Sequence, residues 1–207
     1  DWYIRILNQI DQMLEARHLP TRIVLLAYQE LLWPPQTERL SNPDRFVLMF
    51  APISRSFEKS CLQMGDLPSI PPYRRNQISL PEGLEENVAF LREWKKVFSG
   101  DSFDYDYHLG RAHYGDPGYS KISSVLAEDV RCLKKLGLNG LLLCQEQRIC
   151  FPTALPNYMC GQLLWNTGLD PDQIAQDYYR HCFGSSWRAC RRYLETVSSA
   201  FDMDFWN

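Results

Sequence analysis

The sequence predicts an α/β fold: a partial (β/α)8 TIM-type barrel with about four parallel strands with helices, and a helical C-terminal part. Short, near-continuous apolar runs, typical of strands in parallel sheets, alternate with longer segments whose apolar residues recur every three or four positions. After Pro156 only the helical pattern remains. This alternation favours a parallel sheet joined by right-handed crossovers.

Apolar runs and chain breakers place the individual elements. The run at residues 22–29 has the pattern of a strand that is buried on both faces, and Pro20, Gly100 and Gly137 mark helix ends. The predicted strands are residues 22–29, 45–51, 103–108 and 139–145. The predicted helices are residues 2–17, 82–98, 122–133, 157–166, 171–182 and 185–200.

The domain organisation follows from the number of strands. Four strands cannot close an eight-stranded barrel. We therefore expect residues 1–207 to form a single partial domain, the C-terminal half of a barrel whose N-terminal half is missing from this chain. A doubly wound sheet that binds a small molecule is the alternative fold. The proline-rich segment 52–81 is long for a connection and is a candidate site loop.

Charge and composition exclude several classes of partner. Lys and Arg total 22 and Asp and Glu total 25, which gives a net charge of −3. This balance provides no strong positive field for nucleic-acid phosphates, so we expect no nucleic-acid partner. No stretch approaches the roughly 20 apolar residues that a membrane-spanning helix needs, so we expect no membrane partner.

The cysteines bear on metal sites and on the cell compartment. There are seven, they are scattered, and none forms a Cys-x-x-Cys pair. This pattern indicates reduced, buried thiols and argues against a zinc site. We expect no metal and no cofactor, and a cytoplasmic location with an extracytoplasmic one left open.

Polar residues follow the predicted strands, where ligands bind in parallel α/β folds. Tyr28 and Gln29 close the first strand. Tyr107, His108 and His113 lie at the end of the third strand and in the loop behind it. We expect these five residues to bind substrate. The end of the fourth strand adds further candidates for substrate binding, which are Gln145, Gln147 and Arg148.

The third strand alternates aromatic and ionisable residues, which period two sends to opposite faces. Asp104, Asp106 and His108 then share one face. We expect the aromatic residues to pack under helices and the polar face to line the barrel interior, with Asp104 and Asp106 as candidate catalytic carboxylates. The alternative is a half-exposed edge strand with solvated acids.

Glu146 is the third candidate catalytic residue. It follows the apolar run 141–144 in a burst of polar residues at a strand end. A carboxylic acid at this position acts as a general acid if its surroundings raise its pKa. Pairing of Glu146 with Arg148 is the alternative. The motifs for dinucleotide, nucleoside triphosphate, serine-hydrolase and zinc-protease chemistry do not occur.

Several segments in order resemble the C-terminal half of the bacterial domain-of-unknown-function 4838 family. They are residues 25–29 with Pro34-Pro35, residues 103–109, residues 136–141 leading into 144–148, residues 151–157, residues 164–166 and Asp170. The resemblance covers about residues 1–195 and implies a barrel similar to glycoside hydrolase family 163, of which this chain would hold the last four strands.

This resemblance also implies an activity. The expected substrates are N-acetylglucosamine-containing oligosaccharides or glycans, and a retaining, substrate-assisted mechanism is the natural analogy. Glu146 and the Asp104/Asp106 pair would face the sugar site. We expect a glycoside hydrolase fragment that is inactive without the N-terminal half of its barrel. A non-catalytic carbohydrate-binding or structural module is the alternative.

Overall fold

The computed structural model describes residues 1–110, 112–145 and 150–203. Its strands form one parallel sheet in the order β1-β2-β3-β4, which confirms the predicted α/β class. An α-helix connects the second strand to the third and the third to the fourth, whereas the connection from the first to the second contains two short 3-10 helices, Gln29–Leu32 and Pro43–Arg45. The strands are β1 (Ile23–Ala27), β2 (Phe46–Phe50), β3 (Ser102–Leu109) and β4 (Leu141–Gln145).

Six α-helices lie in the described ranges, close to the predicted positions. They are α1 (Trp2–Ala16), α2 (Leu84–Val97), α3 (Ser120–Cys132), α4 (Leu155–Trp165), α5 (Pro171–Phe183) and α6 (Trp187–Ser199). The start of α5 illustrates why the sequence forms them. Pro171 occupies the first turn, where a missing N–H costs nothing, and the Asp170 carboxylate accepts from the Asp172 N–H at 3.0 Å.

The described chain forms two compact units. Unit 1 comprises residues 1–55, 65–105 and 136–142, and unit 2 comprises residues 56–64, 106–135 and 143–207. Unit 1 therefore contains α1, β1, β2, α2 and the first parts of β3 and β4. Unit 2 contains the remaining parts of those two strands with α3 to α6.

Within unit 1, the sheet has one buried face and one uncovered face. The parallel register places Leu25 beside Leu48, and both are buried. On the opposite face Val24 is 49 % exposed and Met49 is half-buried. The expectation that these strands are buried on both faces is therefore wrong within unit 1. A continuous apolar run shows only that both faces of a strand can be buried. Whether a face is buried depends on other elements that pack against it.

The buried side of unit 1 is held by specific polar contacts as well as by packing. The Trp94 indole of α2 donates to the Leu31 carbonyl at 3.1 Å, and Trp33 packs edge-on against Phe90. Arg45 donates to the buried carboxylate of Asp11 at 2.6 Å and so joins the start of β2 to α1. A buried acid on a helix is stable only with such a partner.

In unit 2 the loop before α3 packs closely against α6. A Cβ atom placed on Gly118 would overlap the carbonyl oxygen of Leu194. Only glycine allows this approach of two backbones. The Ser198 hydroxyl of α6 also accepts from the Ser120 N–H at 3.0 Å.

All seven cysteines are free, and only three of them, Cys61, Cys132 and Cys160, are buried. The expectation that all seven are buried is therefore wrong. Cys150 and Cys182 are exposed. Burial raises the pKa of the Cys160 thiol to about 11. None of the described helices is long and apolar enough to cross a bilayer.

The two faces of β1 provide a test of the fold. We expect Leu25→Ala, on the buried face, to lower the free energy of unfolding by about 2–5 kcal/mol, because it leaves a cavity. The neighbouring Val24→Ala, on the uncovered face, should change that free energy by less than about 0.5 kcal/mol. Urea denaturation of both variants measures the difference, and equal losses would contradict the assignment of faces.

Thiol reactivity provides a second test. With iodoacetamide at pH 8, we expect Cys150 and Cys182 to be alkylated first, because they are accessible and the thiolate is the reacting form. Cys160 should react only on unfolding, because burial blocks access and disfavours its thiolate. Peptide mass spectrometry at successive times gives the order. Alkylation of Cys160 in the folded protein as fast as Cys182 would show that α4 is packed differently.

Candidate functional site

The polar face of β3 is the most unusual feature of the sheet. Asp104 and His108 are buried, and Asp106 is 0 % exposed. The aromatic residues that alternate with them, Phe103, Tyr105 and Tyr107, are half-buried. The strand thus carries its ionisable residues on the more deeply buried side, where carboxylates require hydrogen bonds or charged partners.

This polar face packs against helices. In unit 1 the Lys95 amine of α2 donates to the Ser102 hydroxyl and to the Gly137 carbonyl. In unit 2 the His108 ring meets Asp129 of α3. The expectation that the aromatic residues pack under helices while Asp104, Asp106 and His108 line the barrel interior is therefore wrong. The alternative of solvated acids on an edge strand is also wrong, because β3 lies between β2 and β4.

Lys95 shows how this burial changes a charged group. Burial lowers the pKa of its amine, and the charge of Asp101 opposes that shift. Asp101 itself accepts from the Asn139 amide at 2.7 Å, a bond that lowers the pKa of its carboxyl. The amino end of β3 is thus held by side chains from α2 and from the segment before β4.

The centre of the candidate site in unit 2 is the contact between β3 and α3. His108 Nε2 lies 2.8 Å from Asp129 Oδ2, and both side chains are buried. The other Asp129 oxygen accepts from the Cys61 N–H at 2.6 Å. The Phe57 ring packs edge-on against the imidazole, with 4.9 Å between ring centroids. Asp129 therefore joins the strand, the helix and the segment 56–64.

Asp106 lies on the other side of the same imidazole. Its Oδ1 atom is 3.6 Å from His108 Nδ1, which has no hydrogen-bond partner among the described residues. That carboxylate oxygen accepts from the Tyr107 N–H at 2.5 Å. The ring of His108 thus stands between two buried carboxylates.

These three side chains could contribute ligands to a metal, because one ligand atom of each lies within 4.8 Å of the others. The directions of the atoms argue against a shared ion. Asp129 is met by Nε2 and Asp106 is nearest Nδ1, and the lone pairs of these two nitrogens point away from each other. The arrangement is better suited to fixing the orientation of the imidazole.

Asp129 was not among the residues that the sequence predicts for a site. The indication in the sequence is the position of Asp129 on α3. It falls on the same buried stripe as Ile122, Leu126 and Leu133. An acid on the apolar stripe of an amphipathic helix requires a buried partner. Asp11 of α1 shows the same signal, and its partner is Arg45.

His113, a predicted substrate-binding residue, is buried in the short 3-10 helix Ala112–Gly115 of unit 2. Its ring lies 4.2 Å from that of Tyr114 and is met edge-on by Tyr119. Tyr114 is exposed. The aromatic surface offered to solvent by this loop is therefore that of Tyr114, with His113 packed behind it.

Tyr28 and Gln29, the candidates from the first strand, belong to unit 1 and are half-buried. The Gln29 amide donates to the Tyr28 hydroxyl at 3.1 Å. Gln29 has a φ of +49°, in the left-handed region that non-glycine residues rarely adopt. Such strain persists only where the surrounding structure imposes it, and it often marks a functional position.

The candidates at the end of β4 lie mostly outside the described residues. These are Glu146, Gln147 and Arg148, and Gln145 is described only as the last residue of the strand. The predicted roles of Glu146, Asp104 and Asp106 in catalysis stay predictions, as do the substrate contacts of the other candidates.

The His108–Asp129 contact can be tested directly. We expect Asp129→Ala to lower the free energy of unfolding by about 2–5 kcal/mol, because it leaves two buried donor groups unsatisfied. Asp66→Ala, which removes an exposed carboxylate, is the control and should have little effect. Urea denaturation provides the measurement.

A double-mutant cycle isolates the contact itself. His108→Ala and Asp129→Ala should be non-additive by about 0.5–3 kcal/mol, because the two residues touch. Strictly additive losses would show that the two side chains are not coupled.

Comparison with known proteins gives one result. No curated protein and no solved structure gives a significant match to the chain. The model of one protein family matches residues 1–195, nearly the whole length. The chain therefore belongs to the family described as Domain of unknown function (DUF4838).

Proposed function

We propose that this chain is part of a glycoside hydrolase-like (β/α)8 barrel that acts on N-acetylglucosamine-containing glycans. The observation that carries the proposal is the parallel sheet in the order β1-β2-β3-β4, in which α2 connects β2 to β3 and α3 connects β3 to β4. Four consecutive parallel strands in this order are what one half of such a barrel contains. In barrels of this type the chemistry lies at the carboxyl ends of the strands.

The uncovered face of the sheet in unit 1 supports the barrel. Val24 and Leu142 are each about half exposed, and Leu26, Met49 and Tyr105 are half-buried. In a closed barrel, bulky apolar side chains of this kind fill the interior in layers. The proposed partner of this face is the N-terminal half of the barrel, whose own inward side chains would complete the layers.

Glu146 is the residue that we propose as the general acid. It directly follows Gln145, the last residue of β4, in the sequence, and we propose that it acts at the carboxyl end of that strand. In the proposed mechanism the acetamido oxygen of the substrate attacks the anomeric carbon as the glycosidic bond breaks. Glu146 gives its proton to the departing oxygen, and water later opens the cyclic intermediate with retention.

Asp106 fits a positioning role better than direct contact with sugar. Its carboxylate is fully buried in unit 2, between the Tyr107 N–H and the His108 ring. We propose that it holds the end of β3, so that the half-buried ring of Tyr107 keeps its orientation. Tyrosine rings pack well against the apolar faces of sugars, with the hydroxyl available for a hydrogen bond.

A second candidate function is glycan binding without chemistry. The burial of Asp104 and Asp106 favours it, because neither of these predicted catalytic carboxylates has more than slight solvent exposure. The two functions share the sugar site and differ in the role of Glu146.

The test uses the full-length protein that carries this chain, with the 207-residue chain in parallel. Chito-oligosaccharides and glycoproteins are the substrates, and mass spectrometry detects released glycans. We expect Glu146→Gln to lower kcat by about 10²-fold or more with KM little changed, because the amide keeps the shape but cannot donate the proton. Tyr107→Ala should instead raise KM.

Glu82→Gln is the matched control, because it is the same substitution at a residue just before α2. It should leave kcat unchanged. Full activity of Glu146→Gln would exclude Glu146 as the acid. Saturable binding of oligosaccharide with no product from the wild-type protein would establish the binding function in place of hydrolysis.

A further inference from the structure

The end of α5 and the first half of α6 carry a cluster of positive charge in unit 2. The whole chain has a net charge of −3, but residues 178–194 contain no aspartate or glutamate. The same residues include four arginines, which are Arg180, Arg188, Arg191 and Arg192. A local excess of one sign of charge attracts ions of the opposite sign.

Acidic residues neutralise one of these arginines and leave two others without partners. The Arg191 guanidinium donates to Asp172 at 2.5 Å and to Glu195 at 2.7 Å. Arg180 and Arg188 are exposed, and neither side chain forms an ion pair or a hydrogen bond with a residue that the structure describes. All the hydrogen-bond donors of these two guanidiniums are therefore available to a ligand.

Trp187, the first residue of α6, brings these two guanidiniums together. The centroid of its ring lies 5.1 Å from the guanidinium carbon of Arg180 and 4.6 Å from that of Arg188. Each contact is a cation–π interaction, worth about 0.5–1 kcal/mol at an exposed site. Contact with one half-buried ring restricts two side chains that would otherwise be mobile, so binding to them costs less conformational entropy.

This arrangement is electrostatically unfavourable while no anion is bound. Two like charges lie against the same ring, and Arg192 adds a third charge four residues after Arg188, on the same side of α6. Like charges at this helical spacing destabilise a helix. The first turn of α6 contains no acidic residue that would offset them. A bound anion would remove this repulsion.

The shape of the guanidinium group indicates which anion fits. Its planar fork of N–H donors matches pairs of oxygens on one acid group, and such charge-assisted bonds are about twice as strong as neutral ones. A phosphate or sulfate ester has three terminal oxygens, enough to accept from two forks at once, whereas a carboxylate has only two. We propose that Arg180 and Arg188, held by Trp187, bind the phosphate or sulfate group of a small anionic ligand.

Protection from an arginine reagent tests both the ligand and the place of binding. The 207-residue chain is treated with phenylglyoxal at constant ionic strength, and peptide mass spectrometry gives the rate of modification at each arginine. We expect glucose 6-phosphate, glucose 6-sulfate or both to slow modification of Arg180 and Arg188 in a saturable way. Arg74, which is exposed in unit 1, should react at an unchanged rate.

The two esters distinguish a phosphate ligand from a sulfate ligand. Glucose controls for the neutral sugar and should give no protection, and glucuronate controls for the carboxylate and should protect only at higher concentration. If neither ester protects Arg180 and Arg188, or if glucose protects them equally well, the proposal is overturned.

Substitutions separate a built site from a merely charged surface, with affinities measured by isothermal titration calorimetry. Arg188→Lys keeps the charge but loses the planar fork, so we expect it to weaken binding of the ester about fivefold or more. Arg180→Gln should have an effect of similar size. Arg74→Gln is the matched control, because it removes the same charge from an exposed position in unit 1. Equal affinity of Arg188→Lys and the wild-type chain would overturn the proposal.

The role of the ring is tested with Trp187→Leu, which leaves every charge in place. We expect the affinity for the ester to fall, while circular dichroism shows that the helices are retained. Unchanged affinity would show that the ring does not position the arginines. None of these residues belongs to the site proposed for hydrolysis, so Arg180→Gln should release glycans at the wild-type rate. The two proposals can therefore fail separately.

Discussion

The buried polar face of β3 requires helix α3 to cover it, and much of unit 2 depends on this requirement. A strand with Asp106 and His108 on its inner face is stable only if partners reach it there. Asp129 meets His108 and also accepts from the Cys61 backbone, so one carboxylate fixes a strand, a helix and a loop. The register of α3 along β3 is therefore set by hydrogen bonds, which have direction, as well as by apolar packing, which has little.

The positions of the elements could be predicted because they depend on local patterns. A few apolar residues before Tyr28 are enough to identify β1. A few turns of recurring apolar residues after Asp170 are enough to identify α5. Which face of β3 is covered could not be predicted in this way. Alternation shows that Asp106 and Tyr107 point in opposite directions, but the covering side depends on Asp129, more than twenty residues away.

The candidate site was predicted only in part for the same reason. Asp106 and His108 were identified from one strand, and the Asp106 carboxylate does lie 3.6 Å from the His108 ring. Asp129 was missed, because it is a single polar group on an otherwise ordinary amphipathic helix. Asp129 is important because it is buried against segments that are distant in the sequence. The sequence pattern predicts which face of a helix is buried, but not which partner a single residue on that face contacts. An acid on an apolar stripe is the nearest available signal.

The contact of Gly118 and Ser120 with α6 affects how the limits of this domain are drawn. The family match stops at residue 195, but α6 continues to Ser199. The Ser198 hydroxyl, beyond the match, accepts from the first N–H of α3, which would otherwise lack an intrahelical partner. A polypeptide ending at residue 195 would therefore lose the cap of a central helix, so the physical domain extends at least one helical turn past the family match.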